Sequence, residues 1–262
     1  MAGLWLAALS GLIGGGTLLV GAGIAWFVDI PQRIVAGIMA LGAGVLISTL
    51  AFELVEEAAE DGGLVPTTVG FLGGAILYTV ADQLISRPKK KPAAPDDSGA
   101  LTDVPANIVA RRARTRAAGG AGLVIAVGAL IDGIPESIVM GLSVLQGGIS
   151  IPIVAAIAIS NFPEGLGSTA ALKRGGSTGR FVALLWVGIA LVTVAASMVG
   201  FAAFQAAPPN LIALITTIAA GGLLAMVCNT MIPEAFDEQH ALTGLWATIG
   251  FLGAFLLHEL AG

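Results

Sequence analysis

The chain has 262 residues, of which 56% are hydrophobic and only 11% are charged, and its mean hydropathy is +0.93. Soluble domains carry about 25% charged residues, so the composition excludes a typical cytosolic enzyme, and the net charge of −5 argues against a nucleic-acid partner. The single cysteine, Cys228, excludes a disulfide framework. These values indicate a polytopic membrane protein that lies in a lipid bilayer, with 37 glycines available for close helix packing.

Eight segments are long and apolar enough to span a bilayer, which takes about 20 residues each. The predicted spans are Leu4–Phe27, Ile34–Glu53, Thr67–Ile85, Gly120–Leu145, Ile151–Leu172, Phe181–Phe204, Leu211–Ile232 and Ala241–Leu260. Helices one to three therefore occupy residues 1–86 and a basic linker occupies 87–119. Helices four and five occupy 120–175, and helices six to eight occupy 176–262.

The distribution of basic residues predicts how the chain is oriented. The linker is rich in proline, serine and mixed charge, which is typical of a flexible connection. Eight of the 12 Lys and Arg residues lie in it, three lie between helices five and six, and Arg33 lies between helices one and two. With eight spans these three connections share one side, which the positive-inside rule makes cytoplasmic. We therefore predict a multi-pass cell-membrane protein with both termini outside and a cytoplasmic linker.

Internal similarity suggests an inverted repeat. The segment TVGFLGGAILYT from Thr68 resembles TIGFLGAFLLHE from Thr248, and Gly44–Asp61 resembles Gly222–Glu238 more weakly. The members of each pair cross the membrane in opposite directions. The prediction is an all-α membrane fold of eight transmembrane helices arranged three plus two plus three. Such repeats are typical of secondary transporters, although two Gly-rich apolar helices can also resemble each other by chance.

Helices four and five carry ionisable residues in their interiors. Asp132 and Glu136 are four residues apart, as are Ser160 and Glu164, so each pair shares a helix face. Asn161 lies three residues before Glu164. An ionisable group near mid-membrane costs about 3 kcal/mol or more and usually marks a pathway. With no Lys or Arg at that depth, protons or a divalent cation are the available partners.

Prolines precede both of these glutamates. Pro135 and Pro163 have no amide proton to donate to the carbonyls of Ile131 and Ile159. Unpaired carbonyls at this depth are tolerated where they line a cavity, which favours a cation site over the alternative of merely bent helices with protonated glutamates.

Further acidic residues are weaker candidates. Glu53, late in helix two, is included as a metal ligand. Glu234 ends helix seven, where a surface position is favoured over an exit from the site. His258 and Glu259, near the end of helix eight, are expected to form a solvated pair.

Two motifs resemble a known family. SNFPEG at Ser160–Gly165 is similar to the H-N-x-P-E-G signature of ZIP (Zrt/Irt-like protein) metal transporters, and DGIPES at Asp132–Ser137 resembles the sister signature on the preceding helix. The eight spans, the long loop after helix three and the repeat also match this family. The resemblance covers essentially the whole chain.

The resemblance implies a metal site between helices four and five. Glu136 and Glu164 match the two metal-bridging glutamates, and Asn161 matches an Asn or Asp ligand. Asp132 and Ser160 stand where the family usually has histidine or another polar ligand. The implied ligands are Asp132, Glu136, Ser160, Asn161, Glu164 and Glu53.

Departures from the pattern make this metal site degenerate. Gly133 replaces an Asn ligand, and helix six lacks the usual glutamate, whose counterpart is around Val194. One metal position rather than two is therefore expected. Without imidazole, the preference should shift from zinc toward manganese or ferrous iron.

The implied function is transport of a divalent cation of the Zn, Mn or Fe class into the cytoplasm, with the metal ion as substrate. The alternatives are a non-transporting membrane scaffold or sensor, and a proton-coupled carrier of another solute. The sequence is compatible with a homodimer. An enzyme is not expected, since HExxH and P-loop motifs are absent.

Overall fold

The computed structural model describes residues 2–85, 128–239 and 241–261. Within these ranges the chain is helical and contains no strand, and eight helices are long and apolar enough to span a membrane. The predicted all-α class and the predicted number of spans are therefore confirmed. The linker 87–119, and the predicted start of helix four at Gly120, lie outside the described residues.

Apart from the segment between α3 and α4, which lies outside the described residues, the helices follow one another with short connections. They are α1 (Ala2–Phe27), α2 (Gln32–Gly62), α3 (Leu64–Ile85), α4 (described over Gly128–Gln146), α5 (Ile151–Arg174), α6 (Gly179–Ala203), α7 (209–239) and α8 (Thr243–Ala261). A single residue, Gly63, separates α2 from α3, and its φ of 93° is a conformation that glycine adopts without strain.

Two helices extend beyond their predicted ends. Helix α2 continues past Glu53 to Gly62, and α7 continues past Ile232 to Gln239. Each contains a π-helical segment, Leu50–Glu56 in α2 and Val227–Met231 in α7. The predicted ends were wrong because they followed the loss of apolar residues, whereas helical hydrogen bonding continues through polar residues.

Glycines set the closest helix contacts. Helix α1 packs against α5 and α6, α2 packs against α8, and α3 packs against α7. A Cβ on Gly165 would overlap the backbone of Leu18 in α1, and one on Gly44 would overlap the backbone of Ala247 in α8. Because glycine has no side chain, these helix backbones can approach each other directly.

These contacts divide the described helices into two units. All the glycine positions at which an added Cβ would overlap a neighbour lie within α1, α4, α5 and α6, or within α2, α3, α7 and α8. Between the units the distances are longer, although the contact at Gly42 is still a tight one. A Cβ on Gly42 of α2 would lie 3.3 Å from Ser160 Cα, and one on Gly167 of α5 would lie 3.7 Å from Val35. Helices are therefore more tightly interlocked inside each unit than across the boundary.

An exposed ion pair joins the α1–α2 connection to the end of α5. Lys173 Nζ donates to Asp29 Oδ1 at 2.9 Å, and the Asp29 side chain is 95% exposed. The hydrogen bond and charge of Lys173 hold the pKa of Asp29 below its usual value of 3.8. A lowered carboxyl pKa stabilises the fold above the unfolded-state pKa, and the stabilisation is lost as the pH falls through the folded-state value.

Lys173→Gln is expected to lower the melting temperature slightly at pH 7, because exposed pairs are weak. The difference from wild type should shrink from about pH 4 downward, where Asp29 becomes protonated. Thermal melts of both proteins between pH 7 and pH 3 measure this effect. A difference that is unchanged across this range would contradict a contribution from the Asp29 charge.

Candidate functional site

A cavity of about 160 Å³ lies among α2, α4, α5 and α7. The first described residues of α4, Gly128 and Ala129, belong to its lining. Four of the six predicted ligands line it: Asp132 and Glu136 from α4, and Ser160 and Glu164 from α5. The four-residue spacing on each helix therefore directs both pairs to one space, as the sequence predicted.

Hydroxyl groups on these helices bond to the helix backbone. Ser160 Oγ donates to the carbonyl of Ile157 at 3.0 Å, and Ser137 Oγ donates to the carbonyl of Gly133 at 2.6 Å. Neither of these hydroxyl protons is directed at a carboxylate. The acidic side chains of the cavity thus accept no hydrogen bond from these two serines.

Glu136 is the most enclosed acidic residue of the cavity. Only 1% of the residue is exposed, and within the described part of the chain its Oε2 has no hydrogen-bond partner. The described residues that line the cavity include no Lys, Arg or His. A buried polar atom without a partner carries a desolvation penalty. The cavity is therefore a region where a proton or a cation would be stabilised.

The carboxylates line one space without converging on one point. Within the described ranges, no three His, Cys, Asp or Glu side chains are placed so that they could hold a single metal ion. In this arrangement the cavity is an acidic chamber and not a closed coordination sphere. Coordination by several carboxylates would require side-chain or helix movement.

Asn161, a predicted ligand, is directed elsewhere. Its Nδ2 donates to the carbonyl of Gly14 in α1 at 3.1 Å, and the residue is only 3% exposed. It is not among the residues that line the cavity. One position along a helix is a rotation of about 100°, so Asn161 faces α1 while Ser160 faces the cavity.

Glu53, another predicted ligand, lies on a different cavity. That cavity, of about 270 Å³, is near the opposite end of α4 and is also lined by Glu57 and Asp61. Glu53 Oε1 lies 2.6 Å from His258 Nδ1, and its Oε2 accepts from Ser150 Oγ at 3.4 Å. The structure thus does not bring Glu53 together with the acidic chamber.

The expected solvated pair of His258 with Glu259 was wrong. His258 bonds to Glu53 and stacks on Phe52, with ring centroids 5.8 Å apart. Both partners belong to the π-helical segment of α2. Proximity along α8 suggested Glu259, but the packing of α8 against α2 determines the actual partner.

Glu234 of α7 also lines the acidic chamber, together with Thr230. The residue is also exposed, which agrees with the surface position that the sequence favoured. The sequence contained a signal for its place at the cavity. Glu234 follows Pro233, just as Glu136 follows Pro135 and Glu164 follows Pro163. The third Pro-Glu pair therefore adds an acidic residue from the other helical unit.

An apolar layer separates the two cavities. Val139, one turn beyond Glu136 on α4, lines the cavity near the opposite end of α4. Val139, Met140 and Ile157 are each at most 3% exposed and belong to the main hydrophobic core. The acidic chamber is thus closed toward the cavity that contains Glu53.

No family model matches this chain, and a search of curated proteins finds no match. The similarity to ZIP transporters therefore depends on the two short motifs and on their positions in the fold.

Proposed function

We propose that this protein transports a divalent metal cation across the membrane into the cytoplasm, in the manner that its resemblance to ZIP transporters implies. The observation that carries this proposal is Glu136, a buried carboxylate with an unpartnered oxygen in an acidic chamber. A structural scaffold has no use for such a group, because replacing it with an apolar residue would remove the desolvation penalty.

The proposed three-plus-two-plus-three repeat is supported by the helix packing. Gly70 in α3 and Gly250 in α8 hold equivalent positions in the two similar segments. A Cβ on Gly70 would overlap the backbone of α7 at Leu214, and a Cβ on Gly250 would overlap the backbone of α2 at Leu41. The α3–α7 contact is therefore the counterpart of the α2–α8 contact under exchange of the two halves.

The two-unit packing supports a transport movement. The chamber takes Glu136 and Glu164 from one unit and Glu234 from the other. A displacement between the units would change the distances among these carboxylates and move the apolar layer at Val139. In the proposed cycle the cation loses water, binds the carboxylates and leaves on the other side after one unit moves against the other.

The donor chemistry guides the choice of metal ion. The polar side chains of the chamber are carboxylates and hydroxyls, which suit hard or borderline divalent cations. We propose manganese or ferrous iron ahead of zinc as the substrate. Zinc is also tested as a substrate, because it too binds carboxylates.

Uptake into vesicles tests the transport proposal. Wild-type protein is reconstituted and supplied with Mn²⁺, Fe²⁺, Co²⁺, Zn²⁺ or Cd²⁺. Glu164→Gln is expected to reduce uptake of the preferred metal more than tenfold, because an oxygen ligand charge is lost. Glu60→Gln, which changes an exposed glutamate on α2, is the matched control and should retain uptake.

The result separates transport from its alternatives. Undiminished uptake in Glu164→Gln would contradict the assignment of the chamber. If wild type transports no metal and no metal raises its melting temperature, the scaffold alternative is favoured. Proton movement without metal movement would favour a carrier of another solute.

A further inference from the structure

A third, mainly apolar cavity lies between the two helical units. It has a volume of about 440 Å³ and is lined by α3, α4 and α7. Leu77 of α3 and Ile134 of α4 belong to its wall and are 64% and 37% exposed on the surface of the bundle. All three helices are candidate membrane spans, so this cavity faces the apolar part of a bilayer. Its size is typical of small-molecule sites.

Few polar groups belong to this wall. The polar side chains among its described residues are those of Asp132, whose carboxylate accepts hydrogen bonds, and Tyr78. The Tyr78 hydroxyl lies 3.4 Å from Thr230 Oγ1 and is already engaged. No Lys, Arg or His occurs among the described residues of this wall.

This combination specifies the chemistry of an occupant. The apolar side chains fit a hydrocarbon body, while the Asp132 carboxylate favours a cationic donor of hydrogen bonds. We propose that the cavity binds an amphipathic amine, with its ammonium group on Asp132 and its hydrocarbon chain between α3, α4 and α7.

A neutral lipid chain satisfies only part of this wall. It would fill the apolar volume but would bring no positive charge or hydrogen-bond donor to the Asp132 carboxylate. An ammonium group supplies both the charge and the protons, and charge-assisted hydrogen bonds are about twice as strong as neutral ones. Since α4 belongs to one unit and α3 and α7 to the other, an amine bound here contacts both units.

Photolabelling tests this site without any requirement for transport. The purified full chain in lipid nanodiscs is exposed to dodecylamine that carries a diazirine near the chain end, or to the matching dodecanol probe. Labelled peptides are mapped by mass spectrometry. The amine is expected to label α3, α4 and α7 about tenfold more than the alcohol does, which corresponds to one charge-assisted bond.

Two glycine variants give a matched comparison. Gly222 lines the cavity, and a Cβ there would lie 3.7 Å from the Gly74 carbonyl oxygen, so the Cβ of Gly222→Val fits without backbone overlap. Gly188 of α6 lies outside the cavity and has nothing within 4 Å of its Cβ position. Gly222→Val should reduce amine labelling several-fold, and Gly188→Val should leave it unchanged.

Asp132→Asn tests the charge directly, and should reduce amine labelling to the level of the alcohol. Equal labelling by amine and alcohol in wild type would overturn the proposal in favour of a lipid chain. Labelling spread evenly over lipid-facing helices, or unaffected by Gly222→Val, would overturn the site itself. If Asp132→Asn does not fold, the glycine pair and the two probes still decide the question.

Discussion

Glu136→Gln is expected to lose metal uptake by roughly a hundredfold or more while folding as well as wild type. The carboxylate is 1% exposed and its Oε2 has no partner among the described residues, so it is available to a cation. Loss of a group that only supports a metal ligand lowers metal affinity by about 10- to 100-fold. Loss of a direct ligand should lower it at least as much. Vesicle uptake of the preferred metal measures the change.

Stability distinguishes this role from a structural one. Gln keeps the volume of Glu but removes an ionisable group from an enclosed position, so the melting temperature should stay the same or rise. Glu136→Asp, which retains the charge on a shorter side chain, should recover part of the uptake. Full uptake in Glu136→Gln, or a collapse of stability with no rescue by Asp, would contradict the proposed role.

Gly74→Ala is expected to destabilise the fold by about 2 kcal/mol or more, since overpacking a close contact costs in this range. A Cβ at Gly74 would overlap the carbonyl of Ile218, and this neighbour is backbone that cannot rotate away. The adjacent Gly73 is the control, because its Cβ position meets nothing within 4 Å. Gly73→Ala should be neutral or slightly stabilising, as alanine favours a helix.

Denaturation of the purified variants in detergent micelles measures both substitutions. Since the two glycines are neighbours in one helix, they share the change in helix propensity and differ in packing, because Gly73 is exposed and Gly74 is buried against α7. Equal stability of the two variants would contradict the idea that the backbones of α3 and α7 are too close at Gly74 to accept a methyl group. A deficit confined to Gly74→Ala would support the rigid α3–α7 pair on which the two-unit description depends.

The fold was largely predictable because its main determinant is local. Length and hydropathy are enough to locate membrane spans, and all eight are present in the structure. The ends of α2 and α7 were not predictable in this way. Each helix passes through a π-helical segment and continues into polar sequence, and hydropathy records the depth of a residue but not its backbone hydrogen bonding.

The candidate site was predictable where residues share one helix face. The spacing of Asp132 with Glu136, and of Ser160 with Glu164, was sufficient to place all four on one cavity. Asn161 and Glu53 required knowledge of the neighbouring helix, since one bonds to α1 and the other to α8. Which helix lies opposite a given face is a property of tertiary packing, and one sequence does not contain it explicitly.

Asp132 belongs to the walls of two cavities, the acidic chamber and the apolar cavity between the units. One carboxylate cannot fully neutralise two cations, so the metal and the amine proposed for these cavities are expected to oppose each other. Thermodynamic linkage makes that opposition reciprocal: the factor by which a bound metal weakens the amine equals the factor by which the amine weakens the metal. A titration of either ligand therefore measures the coupling free energy of both.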